Sequence, residues 1–185
     1  MRRQFLILVL VAVSHGLFAQ APESLIVFQP QIRFSIPTPL GWVRDTTSAK
    51  EMGLISAYHP VDTKWTNAPV VMYVNLSFKS DSNQTLDAVM KMDANKFVKM
   101  SQGVEVKEVE TLHTFLQNKP IRIMSYRGGE NDNYEHVAYI DEGLHVIIMV
   151  IGARSEENLI NSLPAFHRLA TSYFEMKEGC CAIRP

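Results

Sequence analysis

Nine consecutive apolar residues, Phe5 to Val13, follow the basic head Met1-Arg2-Arg3-Gln4 and precede a Ser14-His15-Gly16 break with small residues at Ala19 and Ala21. As a helix such a run rises only about 14 Å, against about 30 Å of hydrocarbon, so it is a poor membrane span and has the three-part layout of an export signal. Cleavage after Ala19 leaves Gln20 first. The Arg2-Arg3 pair matches part of the twin-arginine pattern, but no Ser or Thr precedes it and the apolar run is strong, which favours general secretion and leaves the route open. No Cys ends the apolar run to carry a lipid. The expected product is a secreted or periplasmic protein with no stable membrane anchor.

Past the leader the polarity pattern switches between periods of two and of three to four. Gln31 to Ile36 reads as a strand stopped by Pro37-Thr38-Pro39, and Leu54 to Tyr58 as a second. A loop carrying Trp65 lies between His59-Pro60 and Asn67-Ala68-Pro69, and Val70 to Phe78 is rich in β-formers. Thr85 is placed to cap a helix with an inward stripe of Leu86, Met90, Ala94 and Phe97, with Val89 alongside. From Val104 to Thr114 the alternation slips, and a bulge near Lys107-Glu108 would bring Val104 and Val106 onto one face with Val109, Thr111 and His113.

Three more strands are predicted at Ile121 to Tyr126, Tyr134 to Asp141 and Leu144 to Gly152, the last two joined at Asp141-Glu142-Gly143. Ile147 to Ile151 is apolar at both parities, so that strand should be central with a layer on each side. Ser155 caps a closing helix with Glu156 and Glu157 at its positive end and a stripe of Leu159, Leu163, Phe166, Ala170 and Tyr173. Pro164 should kink or restart it, and the chain from Glu175 should be loose.

This element order, with the landmarks Phe34-Ser35-Ile36-Pro37-Thr38-Pro39-Leu40-Gly41-Trp42, the late hairpin and Leu163 to Phe174, resembles the PsbP/Mog1/DcrB-like group of small domains. The resemblance spans nearly the whole mature chain. It implies an α+β fold, an antiparallel β-sheet flanked by helices on both faces in an α/β/α sandwich. The expected organisation is a cleavable signal peptide at 1–19, a single domain at 20–174 and a flexible tail at 175–185. Members of the group serve as accessory or binding proteins: an extrinsic photosystem subunit, a GTPase-binding factor, envelope proteins. They share no catalytic motif, so the resemblance brings no site residues, and a fold this general does not fix a function.

Composition narrows the partners. Losing Arg2 and Arg3 with the leader takes 18 basic residues to 16 against 19 acidic ones, a net charge of −3 with histidine neutral. No basic stripe suited to phosphates is present, which argues against nucleic acid and against acidic membrane surfaces. The 166 residues after the leader are enough for one domain with a real core. Cys180 and Cys181 are adjacent; their α-carbons lie about 3.8 Å apart, below the usual 4.4–6.8 Å of a relaxed disulfide, so they cannot staple the fold.

Candidate chemistry is sparse. With a two- or three-residue turn, His145 faces Tyr139 or Ile140, so His136 lies about 10–13 Å further along, too far for a shared metal. Glu108 and Glu110, two apart, would share one side of a strand, usually a solvated face. Glu130-Asn131-Asp132-Asn133 lacks the order of a calcium loop. No catalytic, cofactor or metal residue is expected. Trp42 is expected in the core, and Trp65, among polar neighbours, is the candidate partner contact. The sequons at Asn75 and Asn83 matter only in a eukaryotic secretory pathway. The leading expectation is a non-enzymatic accessory protein binding a protein or envelope assembly. The alternative is a hydrolase or small-ligand-binding protein with a site among His59, Asp62 and His113, which requires those residues to converge.

Overall fold

The strand expected to be central, now His145–Ala153, lies in the middle of a seven-stranded antiparallel sheet in the computed structural model. The structure describes residues 23–29, 32–129 and 132–177. The leader, Glu130-Asn131 and the Cys180-Cys181 segment lie outside them. In chain order the elements are β1 (Ser24–Gln29), β2 (Ile32–Pro37), β3 (Trp42–Arg44), α1 (Thr46–Glu51), β4 (Ser56–Pro60), β5 (Val70–Phe78), α2 (Leu86–Met100) and β6 (Val104–His113). They continue with β7 (Pro120–Gly128), β8 (Asn133–Glu142), β9 (His145–Ala153), α3 (Glu156–Thr171) and β10 (Phe174–Glu175). The main sheet runs β3-β4-β5-β9-β8-β7-β6, and β1-β2-β10 form a second, three-stranded sheet.

Both faces of β9 are covered, as its double-parity apolar pattern requires. Ile147, Met149 and Ile151 join one core with Leu159, Phe166, Leu169 and Ala170 of α3 and with Phe34 and Ile36 of β2. Val146 and Val150 join a second core with Val89 and Met90 of α2. The fold is thus an α+β sandwich with helices on opposite faces of an antiparallel sheet. Both helix caps form where expected: Thr85 accepts from the Ala88 N–H at 3.2 Å and Ser155 from that of Asn158 at 3.2 Å. Helix α3 passes through Pro164 without interruption. The carbonyl freed by the proline belongs to exposed Ile160, where water can satisfy it.

Several expectations are corrected. Strands β1 and β3 and helix α1 extend the predicted set; α1 buries only Ala49 and is held by its cap, Asp45, which accepts from the Ser48 N–H at 2.9 Å and hydroxyl at 2.7 Å. The β6 bulge falls at Val109, between the pairs Glu108↔Met124 and Glu110↔Ile123. It returns Thr111 and His113 to the face of Val104 and Val106, but it separates Glu108 from Glu110. Glu108 points with Met124 to the α2 face and binds Arg122, whereas Glu110 points with Ile123 to the α3 face and meets His167. The β8–β9 hairpin closes at Glu142↔His145 through Gly143-Leu144, with Gly143 at φ 69°, a left-handed turn position that suits glycine. His145 therefore faces Glu142, and His136, paired with Ile151, is further away than the sequence suggested. The chain does not loosen at Glu175: Phe174 and Glu175 pair with β2, Glu175 exchanges backbone hydrogen bonds with the Gln117 amide, and the Met176 N–H donates to Arg33 O at 2.7 Å.

Candidate functional site

Between the β2–β3 turn and the outer side of α3 lies a groove of about 480 Å³. Its first wall is fixed by local chemistry. Pro39 is buried, Gly41 sits at φ 82°, the Trp42 N–H donates to Pro39 O at 3.1 Å, and the Val61 N–H donates to Gly41 O at 3.0 Å. A turn pinned from both flanks holds Leu40 outward, 92% exposed. Trp42, opposite Pro60 in the β3–β4 pair, backs onto the large core while its remaining surface floors the groove. The expectation that Trp42 is a core residue therefore holds for one side of the indole. Pro164 and Arg168 of α3 form the far wall. Arg168 is exposed and makes no ion pair among the described residues. An indole and three prolines next to a free guanidinium can receive an apolar side chain and a carboxylate together.

The loop that continues from Pro60 carries Trp65, half-buried as expected. Its turns are closed by Thr63 Oγ1 donating to Pro60 O at 2.7 Å, Lys64 N–H to Asn67 Oδ1 at 2.9 Å and Ala68 N–H to Lys64 O at 2.8 Å. Arg154 holds it to the end of β9 through Thr66 O at 3.2 Å.

His59, Asp62 and His113 do not converge. His59 is buried on β4, its Nδ1 3.0 Å from Pro60 O, which can only accept, so that nitrogen carries the proton. Its Nε2 lies 3.9 Å from Asp45, whose carboxyl is held below the usual range chiefly by the Ser48 N–H. Asp62 is exposed in the following loop at φ 70°, and His113 is exposed at the end of β6. Strands β4 and β6 are five positions apart in the sheet, about 24 Å at the usual strand spacing. The topology thus disperses the three residues of the alternative hydrolase or ligand site.

Two ionisable clusters escaped the sequence reading. Under α2, Asp93 accepts from the Tyr139 hydroxyl at 2.5 Å, and Tyr139 lies 2.9 Å from the Tyr126 hydroxyl. Glu135, two positions along β8 from Val137, is raised to about 7 by burial and by the charge of Asp93. Burial also pushes Tyr126 up to about 12, and Tyr73 and Tyr139 above the usual phenol range. On the other face, His167 Nε2 of α3 lies 2.7 Å from Glu110 Oε1 of β6. His136 nearby is lowered by burial, and its buried Nδ1 has no partner. Among the described residues no group of three or more His, Cys, Asp or Glu is placed to hold a metal ion. The one available signal was an acid inside an apolar register: Asp93 falls between Met90 and Phe97, and Glu135 alternates with Val137 and Tyr139.

No protein-family model matches the sequence, and no curated protein does either. Solved structures do match. Cyanobacterial PsbP from Synechocystis superposes with a TM-score of 0.56 at 12% identity, covering 86% of this chain and 96% of that one. LpqN of Mycobacterium tuberculosis, described as involved in cell envelope biogenesis, gives 0.57 at 12% identity over 85% and 93%. The Ran-binding protein Mog1p of Saccharomyces cerevisiae gives 0.51 at 7% identity over 83% and 95%. The chain therefore has the PsbP/Mog1-like fold.

Proposed function

We propose that this is a non-enzymatic extracytoplasmic accessory protein that binds a protein partner at the groove between the β2–β3 turn and α3, with Trp65 as a flanking contact. The observation that carries the reading is Leu40, fully presented by a turn that the fold holds rigid at the mouth of a Trp- and Pro-lined groove. A large apolar side chain fixed in water, beside a concave apolar surface, is the composition of an interface anchor. The partner segment would bring an apolar side chain to the Trp42 floor and a carboxylate to Arg168. The export-type leader and the description of LpqN as an envelope-biogenesis protein support an address outside the cytoplasm.

The test is affinity capture from the native envelope with the exported protein, after N-terminal sequencing for Gln20. Leu40→Asp should abolish capture of the partner and Trp65→Ala should weaken it, with thermal midpoints unchanged for Leu40→Asp. Capture that survives both substitutions would contradict the groove assignment, and Met1 on the exported protein would contradict the processing.

A further inference from the structure

At the end of the main sheet opposite the Leu40 groove, two tips carry large apolar side chains into water. The β6–β7 turn presents Phe115 and Leu116, 72% and 78% exposed. The end of β5 presents Phe78, 68% exposed, beside Leu144 of the β8–β9 hairpin, 43% exposed. Both tips are constructed so that the apolar groups stay out. In the first, the Phe115 N–H donates to Thr171 O, the Asn118 N–H to Thr114 O and the Lys119 N–H to Thr114 Oγ1, with Asn118 at φ 53°. In the second, the Lys79 N–H donates to Leu144 O at 2.9 Å, and the Phe78 ring stands edge-on to the buried His145 at 4.9 Å.

The two lysines at this end, Lys79 and Lys119, are both paired, against three carboxylates. Lys79 Nζ lies 2.6 Å from Asp141, and Lys119 bridges Glu142 of the hairpin at 2.5 Å and Glu175 of β10 at 2.7 Å. The Lys119–Glu142 pair thereby ties the first tip to the second. From β5 to the β6–β7 turn the order is β5-β9-β8-β7-β6, so the tips are spread over about 15–20 Å at the usual strand spacing.

We infer that this end of the sheet is a peripheral contact for an uncharged, zwitterionic lipid surface, into which Phe115, Leu116, Phe78 and Leu144 insert. The apolar side chains stand well exposed on two separate turns instead of forming one continuous patch, an arrangement that lipid tails accept but a protein partner meets only with matching pockets. The N–H groups of Phe115, Asn118 and Lys119 are already bonded within the protein, which removes the cost of taking them out of water. The paired charges leave no cationic surplus to attract anionic headgroups, so attraction rests on apolar burial. Among the described residues no helix is long and apolar enough to cross a membrane, and the contact is a reversible one. It does not depend on the partner groove.

The test is cosedimentation of the chain beginning at Gln20 with phosphatidylcholine vesicles. The protein should partition onto them, and replacing Phe115 and Leu116 together by Ser should reduce the partition at least about tenfold with the thermal midpoint retained. Adding phosphatidylglycerol or raising salt should change the partition less than about twofold. Leu116→Trp should add an emission quenched by brominated phosphatidylcholine. Leu40→Ser should partition like the native protein, which keeps this result separate from the groove. No partition, partition indifferent to the Phe115 and Leu116 substitutions, or binding that requires anionic lipid and vanishes in salt would each overturn the inference. Saturable capture of a protein through Phe115 in the absence of lipid binding would do so as well.

Discussion

The α3 face of the sheet buries twenty residues in one core, whereas the α2 face buries seven among the described residues. The core on the α3 face is aliphatic and aromatic, with the Glu110–His167 contact and His136 beside it, and the small β1-β2-β10 sheet closes over it beside α3, with Phe34 and Tyr173 at 5.3 Å between ring centres. Helix α2 buries fully only Val89 and Met90, and beneath it lie Asp93, Glu135 and the hydroxyls of Tyr126 and Tyr139. The difference separates two tasks. Stability resides on the α3 side, and the Leu40 groove is mounted on the outside of that same rigid layer. The α2 side is thinner and contains Glu135, whose carboxyl is pushed up to about 7 by burial and the Asp93 charge. Tyr126, Tyr139 and Asp93 hydrogen-bond in a chain under the helix, while Glu135 feels the Asp93 charge, an arrangement that tunes stability with pH.

The comparison breaks most easily at Phe166, buried on α3. Phe166→Ala should cost about 3–5 kcal/mol, measured by denaturant unfolding, and a stable variant would remove the claim that this face carries the fold. Met90→Ala on α2 should cost less, about 2 kcal/mol, because α2 has few buried neighbours to lose. An equal or larger loss there would erase the asymmetry.

The pH response of the α2 side has a definite sign. Glu135 has a folded value of about 7 against an ordinary 4.5. Between these values the folded protein keeps a proton that the unfolded chain releases, so the contribution of this group is complete below pH 4.5 and is lost as pH rises through 7. Glu135→Gln should therefore raise stability at pH 8 by about 1–2 kcal/mol, after allowing for partial exposure, and leave it nearly unchanged at pH 4. A variant destabilised at pH 8 would show that the charged carboxylate is needed. The smallest effect is expected at the tail: replacing Cys180 and Cys181 by Ser should leave the thermal midpoint unchanged, whereas a loss near the 2–5 kcal/mol of a structural disulfide would show a staple.

The asymmetry was partly legible in the sequence. Double-parity Ile147 to Ile151 announced a strand covered on both sides, and the stripes on α2 and α3 announced what covers it. The slip in β6 announced a bulge within two residues of its place, but not that it would turn Glu108 and Glu110 to opposite faces. Helix α1 was invisible because it buries a single alanine and rests on a side-chain cap, and β1 was obscured by its short run next to the leader. The Glu110–His167 contact could not be read at all, since it joins an edge strand to a helix 57 positions later. The groove was half legible: Pro39-Leu40-Gly41-Trp42 reads as a turn with an apolar tip, but only tertiary packing brings Pro164 and Arg168 across from it.

The account rests most on the claim that the partner is met on the α3 side at Leu40. A photo-reactive amino acid placed at Leu40, and in a separate protein at Met92 on the exposed side of α2, allows that claim to be tested in the native envelope by irradiation and mass spectrometry of the adducts. A single discrete protein adduct from position 40, reduced by Arg168→Glu and absent from position 92, is the predicted result. No adduct from position 40 in folded protein, or the same adduct from both positions, would contradict it.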